Sequence, residues 1–346
     1  MAIHSLRSDL ERLQRFSENH LESILSVRAG EMRFGQVVQL PQEEWETQLQ
    51  DVDIVLLGIN EDIGVRANLG RAGTAQAFAQ SLPHLLALQH NEFIKSERIL
   101  ILGELNFGEL MAASESLNPK NPDDLAHLRQ MVEIIDQSVY FFAKKVFDAG
   151  KKLVVVGGGH NNSFPLIHAL AESTKKNVSV LNLDPHADLR NAEGRHSGNG
   201  FTYALENQSL SHYHIFGMGE SNNNQAIFDR INKHEGISYT SMENLIDEGL
   251  HKRYDLLDQA IAQLPDEVFG LEIDMDVLTH YPASAVNSSG FNGNELRGLV
   301  RHSLRNKEAR YVHICEAAPD LATSIAGKSQ AANFLARITA DVIKTI

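Results

Sequence analysis

Residues 180–190 read VLNLDPHADLR, an apolar run that breaks into Asp184, His186 and Asp188 at every second position. A short apolar segment ending in polar groups reads as a buried strand that meets a loop at its carboxyl end. If the extended geometry persists, the side chains at i, i+2 and i+4 point to one side. Two carboxylates and an imidazole gathered there, with no Lys or Arg among them, repel and desolvate one another unless a cation sits between them. The competing reading is a solvated turn in which Asp188 caps a helix.

Working outward, further strand candidates fall at 52–59, 98–105, 153–157, 178–184, 214–218, 268–276 and 311–316. Amphipathic helical patterns lie between several of them, at 123–149, 163–175, 223–234, 254–263, 293–305 and 329–345. Buried strands alternating with helices imply an α/β fold, a mostly parallel sheet with helices on both faces. Residues 5–27 carry Leu6, Leu10, Leu13, Phe16, Leu21 and Ile24 near helical spacing and read as a peripheral helix. The expected organisation is an N-terminal helical extension over 1–50 packed on one α/β domain over 51–346. No repeat, low-complexity tract or Pro/Ser-rich linker divides that domain. In such sheets ligands bind at the carboxyl ends of the strands.

Two more strands end in unusual polar groups. KKLVVVGGGHNNSF (151–164) runs into three glycines and His160, a tight turn or a cradle for a phosphate. VFGLEIDMDVL (268–278) ends in Asp274 and Asp276, which need the same compensation as the acids of the first stretch unless they face water at an edge. Together the three ends offer His160, Asp184, His186, Asp188, Asp274 and Asp276. Oxygen and imidazole ligands without sulfur suit Mn²⁺ and also admit Fe²⁺, Co²⁺, Ni²⁺ or Zn²⁺. Six ligands exceed the needs of one ion that must leave room for substrate, so two ions bridged by carboxylate fit better.

Composition narrows the function classes. The chain has 346 residues, with 31 Lys+Arg against 45 Asp+Glu, a net charge of −14 with His neutral. That acidity argues against a nucleic-acid partner held by phosphate neutralisation. With 42% hydrophobic and 22% charged residues it has the balance of a globular protein with a sizeable core. A single cysteine, Cys315, excludes internal disulfides and cysteine-based metal sites, and its place in an apolar strand reads as an inert core thiol. No apolar run reaches the ~18 residues of a membrane span. The N-terminus lacks the apolar core of a signal peptide. A cytoplasmic setting is expected.

GGGH (157–160), DPHAD (184–188) and EIDMD (272–276), in this order on an α/β chain, resemble the ureohydrolases: arginase, agmatinase and formimidoylglutamase. EDIGVRANLGRAGT (61–74) resembles the family's early substrate loop, and YVHICEAAP (311–319) its last strand. The resemblance implies a three-layer α/β/α domain with about eight strands. It implies two Mn²⁺ per chain: one held by His160, Asp184, Asp188 and Asp274, the other by Asp184, His186, Asp274 and Asp276. Glu316 resembles the acid that pairs with the substrate's cationic group, and His196 in GRHSGNGF the loop histidine that relays protons. Asp188 would hold the attacking water. The family also implies a small-molecule substrate and a homo-oligomer.

Departures from the family bear on the substrate. GGGHN stands where arginase and agmatinase read GGDHS, and is closer to formimidoylglutamase. Pro185 and Glu272 replace smaller residues, and the segment 277–292 lacks the usual Asp-Pro continuation. Glu272 reads either as a contact behind the metal ligands or as added repulsion. Arg190, two residues beyond Asp188, suits a carboxylate because its planar fork can bind one through two hydrogen bonds. Asn68, Arg71 and Asn199 are further substrate-binding candidates, as are Arg66 and Arg195, with a surface ion pair the alternative for each arginine. The expected activity is hydrolysis of a linear amidine C–N bond, N-formimino-L-glutamate to L-glutamate and formamide, as in histidine degradation. The alternatives are a guanidino hydrolase releasing urea and a catalytically silent relative serving as a binding or oligomer subunit.

Overall fold

The computed structural model describes residues 12–25 and 27–346. Nine strands form one sheet: β1 Leu13–Gln14, β2 Ile54–Asn60, β3 Ile99–Asn106, β4 Lys152–Gly157, β5 Val178–Leu183, β6 Leu210–Met218, β7 Ile237–Ser241, β8 Phe269–Asp274 and β9 Tyr311–Cys315. Their order across the sheet is β1-β3-β2-β4-β9-β8-β5-β6-β7. All pairs are parallel except β1 against β3. The parallel strands are apolar on both faces because both are covered. Leu153 and Val155 of β4 enter one core with helices Pro122–Asp148 and Ser163–Thr174. Val154 and Val156 enter the other, with Ala77–Leu86, Arg253–Ala262, Gly293–Asn306 and Ile325–Thr345. This is the expected three-layer α/β/α arrangement.

Local chemistry sets the helix ends. Asn121 accepts from the backbone N–H groups of Asp123 and Asp124, and Pro122 opens the longest helix where its missing donor costs nothing. Asn292 and Glu295 form a reciprocal capping box on Gly293–Asn306. Ser324 caps the last helix, which starts at Ile325 rather than 329.

The seven expected strands are present with ends shifted by a few residues. The other two were not expected. β7 (ISYTS) lies at the sheet's edge and is built mostly of Ser, Thr and Tyr, so its pattern carries little apolar signal. β1 lies where a helix over 5–27 is expected. The open edge of β3 takes its backbone, with Asn106 N–H donating to Arg12 O, and helix begins only after the Ser17 cap, at Glu18–Ile24. The rest of that expected helix, residues 5–11 and 26, lies outside the described residues. Helix Ala77–Leu86 also escapes the periodicity reading, because Pro83 interrupts its pattern while Phe78, Leu82, Leu85 and Leu86 still bury one face.

One buried ion pair fastens the loop after β5 to the layer above it. Arg195 donates through Nε to Asp136 Oδ2 at 2.7 Å, through Nη1 to Asn199 Oδ1 at 2.7 Å and through Nη2 to Asn161 O at 2.8 Å. Its guanidinium lies 4.9 and 4.7 Å from the ring centroids of Phe164 and Tyr203. Arg195 is therefore a structural clamp and not a substrate contact. Arg66 is similarly committed, to Asp62 at 3.1 Å and to Ser114 O at 3.0 Å. Removing one partner of a buried pair leaves the other charge uncompensated. Arg195→Ala should lower unfolding free energy by about 3–5 kcal/mol, read from the denaturant midpoint of the purified variant; a change under about 1 kcal/mol would reject the clamp.

Candidate metal centre

Three loops at the carboxyl ends of β4, β5 and β8 bring the acids and imidazoles together. The first needs its glycines. Gly157 and Gly158 have φ of +98° and +71°, and a Cβ on Gly157 would lie 2.7 Å from Ile59 O. The loop is no phosphate cradle, because the protein's own carboxylates take its donors. Glu61 accepts from Gly159 N–H at 2.9 Å, and Glu316 Oε1 from His160 N–H at 2.7 Å.

His160 Nδ1 stands 3.2 Å from Asp184 Oδ2, 2.9 Å from Asp188 Oδ2 and 3.2 Å from Asp274 Oδ2. A second group, Asp184, His186 and Asp276, adjoins it, with His186 Nδ1 3.1 Å from Asp276 Oδ2. Asp184 belongs to both groups. Asp274 joins the first through Oδ2, while its Oδ1 accepts from Asp276 N–H at 2.9 Å. Asp274 thus lies between the first group and Asp276 of the second, as a bridging ligand would. The side chains converge without the expected strand alternation: β5 ends at Leu183, and Asp188 adopts φ +49°. Glu316, at +59°, is the other left-handed site residue. Such strain in non-glycine residues collects at functional sites.

The electrostatics fit dications. Burial raises the carboxyl of Asp274 far above its usual range, and the nearby charges of Asp276 and Asp184 add to the rise. Asp188 is raised by burial and by Asp184. Burial opposes ionisation of Asp184 too, but His160 and His186 hold its carboxyl low. Burial pushes Glu316 up to about 8. Asp276 Oδ1, Glu316 Oε2 and both ring nitrogens of His160 are buried without a hydrogen-bond partner. Buried polar atoms are rarely left so. The donors are hard oxygens and imidazoles, and among the described residues only His160 and His186 form ion pairs with Asp184, Asp188, Asp274 and Asp276. That set fits a pair of divalent ions.

Above the cluster opens a cavity of about 430 Å³, lined by His186, Asp188, Asp274, Asp276 and Glu316 and walled by Asn68, Arg190, Ser197 and Asn222–Asn224. Arg190 Nη1 donates to Asn68 Oδ1 at 3.1 Å, so both sequence candidates reach the cavity. Three others do not. His196 is wholly buried, and its Nδ1 accepts from Gly198 N–H at 3.1 Å. Burial and the charges of Arg129, Arg190 and Arg195 pull it down to about 3, which unfits it for proton relay near neutrality. Asn199 spends its amide on Arg195, His196 N–H and the carbonyls of Asn191 and Gly194. Arg71 donates to the carbonyls of Ala283 and Ser284, and so holds the backbone beside the cavity rather than facing into it.

Other contributors were missed. Glu61 accepts from Gly64 and Gly159 N–H and from both Asn161 and Asn162. Its one sequence signal is an acid directly after an apolar strand. Asn182, a polar residue inside β5, holds Asp184 Oδ2 at 2.9 Å. Asn222 Nδ2 lies 3.4 Å from His186 Nε2. Ser284 and Ala285 reach the cavity because Ser284 N–H donates to Glu316 O.

The family model described as "Arginase family" matches residues 52–343. The curated relatives include a formimidoylglutamase of Klebsiella pneumoniae, 30% identical over 75% of each chain. Another, from Macrococcus caseolyticus, is 26% identical over 82% of this chain and 83% of its own. A solved Trypanosoma cruzi formiminoglutamase with Mn²⁺₂ shares the fold at TM-score 0.69 and 19% identity, over 90% of this chain and 98% of its own. The Bacillus subtilis formimidoylglutamase structure does so at TM-score 0.69 and 18% identity, over 91% and 94%. By its match over residues 52–343 the chain belongs to the arginase family and, with its curated relatives, is a hydrolase acting on amidine C–N bonds.

Proposed function

We propose that the chain binds two Mn²⁺ and hydrolyses N-formimino-L-glutamate to L-glutamate and formamide. The observation that carries this reading is one cavity that joins a buried acid and imidazole floor to an arginine in its wall. The names of the relatives support it: formimidoylglutamase recurs among the curated matches, and Mn²⁺ is named with the Trypanosoma cruzi structure.

In this reading His160, Asp184, Asp188 and Asp274 would hold one ion, and Asp184, His186, Asp274 and Asp276 the other. When bound, the pair supplies an acidified water, so that hydroxide is available near neutral pH. Asp188 orients that nucleophile by hydrogen bond. The unpartnered Glu316 Oε2 faces the amidine and fixes it for attack. The leaving nitrogen must gain a proton as the tetrahedral carbon collapses. Asp188, which holds the nucleophile, would pass a proton taken from that water to the leaving nitrogen, since His196 is turned away. Arg190, steadied by Asn68, binds a substrate carboxylate, which agmatine lacks.

Manganese loading of the metal-stripped protein should give two ions per chain by elemental analysis, and Asp276→Ala should lose at least one; full retention in the variant would remove Asp276 from the ligand set. Formimidoylglutamate, arginine, agmatine and guanidinobutyrate assayed side by side should show formamide release from the first as the fastest turnover; faster urea release from a guanidine would replace the substrate assignment. Arg190→Ala should cut kcat/KM for formimidoylglutamate by roughly 10–100-fold, the loss of a charge-assisted hydrogen bond. It should leave any agmatine turnover nearly unchanged, and equal losses on both would take Arg190 out of carboxylate recognition.

A further inference from the structure

Behind His160, on the side away from the cavity, lies a second polar cluster that the reaction does not touch. Glu272 is wholly buried on β8, two residues before Asp274. Its Oε1 accepts from Tyr311 Oη at 2.8 Å, and its Oε2 stands 2.7 Å from His313 Nδ1. His313 Nε2 is in turn 3.4 Å from Gly157 O, on the glycine loop that carries His160. The same Oε2 of Glu272 lies 3.6 Å from His160 Nε2, which has no hydrogen-bond partner. Register brings these groups level, because Glu272 pairs with His313 across β8 and β9.

A neutral imidazole that offers Nδ1 to a cation must keep its proton on Nε2. That N–H is buried and requires an acceptor. Glu272 is the one carboxylate within 4 Å of His160 Nε2 among the described residues. The thiol of Cys315 shares the cluster, but a neutral thiol is a weak acceptor. Tyr311 and His313 hold the carboxylate from two further directions, so its position is fixed before any ion arrives.

We infer that Glu272, held by Tyr311 and His313, is a positioning residue that fixes the tautomer and ring orientation of His160 for the ion on that side. The inference rests on the two-ion reading above. It turns the replacement of a small residue by Glu at this position from a threat to the site into a support for it.

Calorimetric titration of metal-stripped protein with Mn²⁺ tests this, with apo melting temperature and circular dichroism recorded alongside. Glu272→Gln should weaken one of the two ions by roughly 10–100-fold, the usual loss on removing a histidine's carboxylate partner, and change the other far less. Tyr311→Phe frees the carboxylate without touching His160. It should give a smaller weakening of the same ion and serves in place of Glu272→Gln if that variant does not fold. A purely structural role would lower the melting temperature of the apo protein and leave the ratio of the two affinities unchanged, which would overturn the inference, as would wild-type affinities in the variants. Wild-type protein that takes up fewer than two ions would instead defeat the two-ion reading itself.

Discussion

Mutual repulsion of acids inside the fold is the constraint around which the rest is arranged. Asp184, Asp188, Asp274 and Asp276 meet at the carboxyl ends of neighbouring strands with only His160 and His186 between them. Charge brought this close in a low-dielectric interior is costly unless it is paired. A parallel sheet makes the approach possible, since its backbone hydrogen bonds hold strand ends a fixed distance apart whatever their side chains prefer. The two apolar cores stabilise the sheet, and the sheet holds the acids.

Around the cluster the protein supplies donors wherever a carboxylate must stay put. Asn182 holds Asp184, the backbone of Asp276 holds Asp274, and the backbone of His160 holds Glu316. Glu61 gathers four donors and thereby shapes the glycine loop. The oxygens left over, Asp276 Oδ1 and Glu316 Oε2 among them, are the ones available for chemistry. Membership of the arginase family and this division of labour agree: the chain anchors one oxygen of several acids and leaves the other free.

Much of this was legible in the sequence because strong periodicity and charge clustering survive without tertiary knowledge. The central strands and long helices are apolar on the faces the sheet demands, and six ligand candidates stand at strand ends. What was illegible depends on contacts between distant segments. β1 exists because β3 has an open edge, and β7 is too polar in composition to show an apolar run. His196, Asn199, Arg71 and Arg195 look like site residues by composition and by nearness in sequence. Their side chains turn instead to loop backbones and to Asp136, which no spacing rule reveals. Glu61 was the reverse case, an acid whose partners lie mostly in the distant glycine loop, and Glu272 was left with two readings because its partners lie on β9. Among the described residues no helix is long and apolar enough to cross a membrane, as the hydropathy reading expects.

The strand order has a kinetic meaning. β4 lies beside β9, and β8 beside β5, so neighbours in space come from far apart along the chain, as Leu153 opposite Tyr311 illustrates. Such non-local pairings form late, after a large loop-closure entropy has been met. The acids from β5 and β8 and the histidine after β4 thus meet only when the middle of the sheet has closed. Because β9 separates β4 from β8 in the sheet, the last strand of the chain is the spacer that sets how far the histidine stands from the acids of β8.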